Sequence, residues 1–127
     1  MTMRALAFAL ALALAMPPAM ASTPKKSATP NRFGAIAWHR PTQSWGVAYD
    51  HARARDAHVQ ALQQCGQPQC EIVQKFRNGC AALADGPRVS FAASGATRAE
   101  AEARTLRRCR EQNRNQECTA IAWACTR

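Results

Sequence analysis

The amino-acid sequence predicts an α+β domain: an antiparallel sheet of about six strands, two helices from a duplicated strand-helix-strand unit, and three disulfides. Three observations lead there. Six cysteines, an even number, all lie in the second half of the chain, at Cys65, Cys70, Cys80, Cys109, Cys118 and Cys125. Short segments rich in aromatic and branched residues alternate with two stretches of helical pattern. Finally, Trp45 to Cys65 can be laid over Val89 to Cys109 without a gap, at a constant offset of 44.

Taken in chain order, Met1 to Ala21 reads as a secretory leader. Arg4 supplies a charged start, Ala5 to Met16 is an unbroken apolar run of 12 residues, and Ala19-Met20-Ala21 is a small-residue cleavage signal. The run is well short of the roughly 20 apolar residues that span a bilayer, so cleavage after Ala21 and release to the periplasm or the medium are expected, with no transmembrane segment. The remaining 106 residues suit one domain with a modest core. Segment 22–32 has two prolines, two lysines and no large apolar group, the composition of a flexible leader to the domain at 33–127.

From Phe33 the character changes. Gly34 to Trp38 and Trp45 to Tyr49 read as two strands joined by a turn that contains Pro41. The aligned stretches pair Ala48 with Ala92, Ala52 with Ala96, Ala57 with Ala101, Leu62 with Leu106 and Cys65 with Cys109. Each continues through a polar turn, a second cysteine, an apolar stretch and a third cysteine, which sets the repeat at 45–80 and 89–125. Thr97-Arg98-Ala99-Glu100 is a capping-box sequence for the second helix. Behind it Ala99, Ala103, Leu106 and Cys109 form the expected inward stripe, with Val59, Leu62 and Cys65 in the first helix. The first helix lacks a good cap at Arg53, and Asp50 is the alternative.

An exported chain folds in an oxidising compartment, so the cysteines are expected as disulfides. Fifteen pairings are open to six cysteines. The simplest for a pseudo-twofold joins Cys65 to Cys70 and Cys109 to Cys118, leaving Cys80 and Cys125 to connect the two halves.

The residues Phe33-Gly34-Ala35-Ile36-Ala37-Trp38, Ser44-Trp45-Gly46, Phe76-Arg77-Asn78-Gly79-Cys80-Ala81-Ala82, Ala96-Thr97-Arg98-Ala99-Glu100 and Ala122-Trp123-Ala124-Cys125 together resemble domain-of-unknown-function family 4189. The resemblance runs over nearly all of Phe33 to Cys125. It departs from the family's pattern in the glycine-poor strand Val89 to Ala93 and in the arginines after Leu106. The resemblance implies a small exported bacterial protein with no established catalytic residues; it supplies a cysteine framework and no active site.

The chemistry-bearing residues give no catalytic or metal constellation. No Cys or His pair has the short spacing of a structural zinc site, the eight acidic residues form no catalytic pair, and there is no glycine-rich phosphate loop or nucleophile elbow. His51 and His58, two helical turns apart, share a face if the first helix begins at His51. No cofactor and no enzymatic activity are expected. The charge is more informative: without Arg4 the chain keeps 16 Lys/Arg against 8 Asp/Glu, a net of +8, which favours anionic partners. The sharpest candidate surface is the basic run Arg104, Arg107, Arg108, Arg110 and Arg114, with Glu100 and Arg104 at ion-pair spacing. A second is the aromatic pair Trp38 and Trp45 across the opening hairpin. The expected function is therefore non-catalytic binding, as a periplasmic inhibitor or immunity protein that recognises an acidic protein or an anionic envelope polymer. A secreted effector or an envelope-structural protein is the alternative, and nucleic acid is disfavoured because no recognition motif accompanies the charge.

Overall fold

The computed structural model describes residues 14–20 and 29–127. Most of the expected secretory leader, its cleavage point after Ala21 and most of segment 22–32 lie outside the described residues. The elements run β1 (Phe33–His39), a 3-10 turn (Arg40–Thr42), β2 (Ser44–His51), α1 (Ala54–Cys65), β3 (Glu71–Arg77), β4 (Cys80–Asp85), β5 (Ser90–Gly95), α2 (Arg98–Gln112) and β6 (Thr119–Cys125).

The six antiparallel strands divide into two sheets of three, ordered β2-β1-β3 and β5-β4-β6. Each half of the chain thus builds one sheet with the same topology, its first strand in the centre. The inner faces meet: Ile36, Trp38 and Phe76 from the first sheet pack with Ala81, Leu83, Ala122 and Ala124 from the second. The outer faces carry the helices. Ala35, Ala37 and Ala48 pack with Ala57, Ala61 and Cys65 of α1, and Cys80 and Ala82 with Ala101 of α2. The result is four layers, helix on sheet on sheet on helix, with the central strands β1 and β4 buried on both faces.

The inward stripes of both helices differ from the sequence expectation. Ala57, Ala61 and Cys65 are buried in α1, and Ala101, Thr105 and Cys109 in α2, whereas Ala99 and Ala103 are exposed, Leu106 is half-buried, and Val59 and Leu62 are exposed. The reason is distance. A helix seated on an alanine-lined sheet comes close enough that only small residues fit beneath it, and the larger ones are displaced to the flanks. Gly46 belongs to the same arrangement, since a Cβ there would overlap the Ala61 carbonyl of α1. Thr105, where α1 has Ala61, is accommodated because its hydroxyl donates to the Ala82 carbonyl at 3.3 Å.

The helix starts follow their caps. Thr97 Oγ1 accepts the Glu100 N–H at 3.1 Å, which satisfies one orphan donor of α2, and the Glu100 carboxylate reaches back past the cap to accept the Ala96 N–H at 3.2 Å. At α1 the capping residue is Arg53, with no side-chain bond. Asp50 does not cap this helix; its Oδ1 accepts the Arg127 backbone N–H at 2.7 Å. His51 lies on β2 rather than in α1, so it shares no helical face with His58.

The cysteines form Cys65–Cys70, Cys109–Cys118 and Cys80–Cys125. The third bond does not connect the halves as expected. Cys80 opens β4 and stands opposite Cys125 in the β4–β6 ladder, so all three bonds are internal to one half. A polar clasp crosses between halves instead: Arg40 donates from Nε to Asp85 Oδ1 and from an Nη to the Gly86 carbonyl, both at 2.8 Å, and Trp38 Nε1 donates to Ser90 Oγ at 3.0 Å.

Candidate functional site

Stacking the two sheets places the outer strands β3 and β5 along one edge of the sandwich. On β3 the residues Glu71, Val73, Lys75 and Arg77 are exposed. Phe76, pointing the other way, is buried against Gly34, which leaves room for its ring.

Two adjoining clefts open along this edge. One, of about 270 Å³, runs from Arg77, Asn78 and Gly79 to Ser94, Glu100 and Arg104. The other, of about 470 Å³, runs from Phe33 and His58 past Lys75 and Arg77, again to Ser94. Phe76, Arg77 and Ser94 line both. Four basic side chains, Lys75, Arg77, Arg104 and His58, therefore face one concave surface that has a single acid, Glu100.

Arg104 is held in place there. One Nη donates to the Ser94 carbonyl at 2.9 Å and the other to Glu100 Oε1 at 3.2 Å, the expected helix ion pair. The burial of His58 and the nearby Lys75 ammonium hold its imidazole below the ordinary value of 6.5, so near neutrality it is an uncharged hydrogen-bonding group. No hydrogen bond to the His58 ring occurs among the described residues. A surface of this kind can accept a carboxylate or a phosphate, with guanidinium forks and an ammonium as donors.

The expected site residues separate. Of the basic run, Arg104 enters the cleft, while Arg107, Arg108, Arg110 and Arg114 stand exposed along and beyond α2, with no ion pair among the described residues. Trp38 and Trp45 face each other across β1 and β2, yet they do not form an exposed pair. Trp38 is only 5% exposed, in the core between the sheets, and Trp45, on the edge strand, is 44% exposed. A central strand is covered on both sides, so the first tryptophan is unavailable. No motif or spacing in the sequence groups Lys75 and Arg77 with His58, which the fold brings to one cleft. The alternation of basic residues on β3 was the available signal, but nothing local says that the β3 edge meets Arg104. Among the described residues no group of three or more His, Cys, Asp or Glu could hold a metal ion, and no helix is long and apolar enough to cross a membrane.

A small disulfide-stapled α+β domain with two sheets back to back defines the structural class. The chain belongs to the family described as domain of unknown function DUF4189, whose model matches residues 33–125. Among solved structures it is similar to the NMR structure of Rv1813c from Mycobacterium tuberculosis, with 25% sequence identity, a TM-score of 0.59 and coverage of 98% of each chain. No curated protein matches it.

Proposed function

We propose that the protein is an exported, non-catalytic binding protein that takes an anionic group of its partner into the cleft between β3, β5 and α2. The observation that carries this reading is the convergence of Lys75, Arg77 and Arg104, from two elements far apart in sequence, on one concave surface. Export is supported by the leader-like sequence of Met1 to Ala21 and by three disulfides. The partner class is an acidic protein segment or an anionic envelope polymer. A role as a periplasmic inhibitor or immunity protein is the form that suits a small stapled domain, because a preorganised surface loses little entropy on binding.

The test is a titration of the oxidised protein with poly-L-glutamate at two salt concentrations. Binding that weakens with salt and is lost in Lys75→Gln/Arg77→Gln/Arg104→Gln, but kept in Arg107→Gln/Arg108→Gln/Arg110→Gln, is the expected result. Equal loss in both triple variants reduces the site to general surface charge. Loss in the second variant alone moves it to the outer face of α2.

A further inference from the structure

The opposite edge of the sandwich, where β2 and β6 lie, carries a separate cleft of about 420 Å³ lined by Tyr49, Asp50, Trp123, Ala124, Cys125 and Arg127. Tyr49 is 55% exposed and Trp123 43%, although a domain this small has few large side chains to leave outside its core.

Both strands are irregular at this place. Phe33 pairs with His51 and Ala35 with Ala48, so Tyr49 and Asp50 together oppose the single residue Gly34. On β6, Leu83 pairs with Ala122 and Ala84 with Ala120, which leaves Ile121 as an extra residue. Bulges of this kind re-aim side chains at the rims of sheets. Asp50 also has a left-handed backbone, φ 60°, uncommon for a residue with a side chain, and its carboxylate is fixed by the Arg127 N–H. The Trp123 indole is fixed as well. The Arg98 guanidinium lies 3.8 Å from its ring centroid, and Arg98 Nε in turn donates to Glu102 Oε1 at 2.8 Å.

The charges here offset each other, Asp50 against Arg127 and Arg98 against Glu102, so the cleft offers little net attraction to an ion. It offers two aromatic rings, which favour the C–H faces of a ligand, beside a carboxylate and a guanidinium, which favour hydroxyls. A pyranose presents both kinds of group at once. The geometry points to a site for a neutral saccharide, with Tyr49 and Trp123 as stacking surfaces and Asp50 and Arg127 as hydroxyl partners. The assignment is independent of the cationic cleft, which lies on the other edge.

The experiment is an NMR titration of the oxidised protein with cellotriose and, separately, triacetylchitotriose, following the tryptophan indole N–H signals. The Trp123 signal should shift to saturation with at least one of them, while Trp38, buried and bonded to Ser90, stays in place. Tyr49→Ser should weaken binding about tenfold, as for an exposed anchor, with the unmoved Trp38 signal reporting an intact fold. Lys75→Gln/Arg77→Gln/Arg104→Gln should leave the titration unchanged. A Trp123 signal unmoved by both sugars overturns the assignment. So does binding that is the same in Tyr49→Ser and Asp50→Ala, or a response confined to the acidic sugar trigalacturonate.

Discussion

Asn113 holds Val89 at both of its backbone groups: its Oδ1 accepts the Val89 N–H at 3.1 Å, and its Nδ2 donates to the Val89 carbonyl at 3.0 Å. The same amide accepts the Arg88 N–H at 2.8 Å and donates to the Cys109 carbonyl at 2.7 Å. Fully buried, it stands in for a neighbouring strand where the chain approaches β5, and it ties that approach to the end of α2. Asn113→Ala leaves the partly buried Arg88 and Val89 N–H groups without this acceptor, while the Val89 carbonyl keeps the Gly86 N–H and the Cys109 carbonyl keeps the backbone N–H of residue 113. A loss of about 2 kcal/mol is expected in urea denaturation, the middle of the range for buried groups left without a partner.

Close seating of α1 on β2 gives a second prediction. In Gly46→Ala the new methyl group meets the Ala61 carbonyl and the Cys65 amide, both backbone and therefore unable to rotate away. The helix must move outward, at about 3 kcal/mol. Gly66→Ala is the comparison: Gly66 has φ 74° at the end of α1 with ordinary space around it, so only the left-handed conformation is penalised, at about 1 kcal/mol.

The disulfides should contribute unequally. Their sequence separations are 5, 9 and 45 residues for Cys65–Cys70, Cys109–Cys118 and Cys80–Cys125. Loop-closure entropy then predicts about 2 kcal/mol for the shortest and about 4 kcal/mol for the longest. Thermal melts of the paired Cys→Ala variants should rank in that order, with the Cys80/Cys125 variant lowest.

His58 gives a pH prediction. Burial, with Lys75 adding to it, lowers the folded-state pKa below 6.5, so below that value the unfolded chain binds the proton more readily. Stability should fall as pH drops from 6.5 through the folded-state pKa, and be insensitive to this group above 6.5. In an NMR titration Lys75→Gln should move His58 back toward 6.5. A His58 that titrates identically in the variant would show that burial acts alone.

Much of the fold was legible. The strands around Gly34–Trp38 and Trp45–Tyr49, the Thr97 cap and the short pairs Cys65–Cys70 and Cys109–Cys118 are local features, set by residue type and spacing. The helix faces were not, because Ala57, Ala61, Ala101 and Thr105 carry weak hydropathy beside Val59, Leu62 and Leu106. Only the alanines of β1 and the close approach at Gly46 make the small face the inner one. The repeat pattern places Cys80 at the end of one half, but it opens the central strand of the other, and a central strand is distinguished from an edge by pairing rather than by composition. The same holds for Trp38 and Trp45, alike in type and opposite in exposure. The basic cleft depends on stacking β3 beside β5, a relation between sheets that no spacing in the chain encodes.

Because every disulfide is internal to one half, the chain crosses between them covalently only through Asn78-Gly79. A protein cut at that peptide bond would hold together by the clasp at Arg40 and Asp85, by contacts such as the Arg127 N–H with the Asp50 carboxylate, and by the buried layer of Ile36, Trp38, Phe76 and Leu83. Its melting would then depend on concentration, as for any two-body complex. The two fragments, made separately and oxidised, would be candidates for reassembly by mixing, which makes this fold a natural split protein.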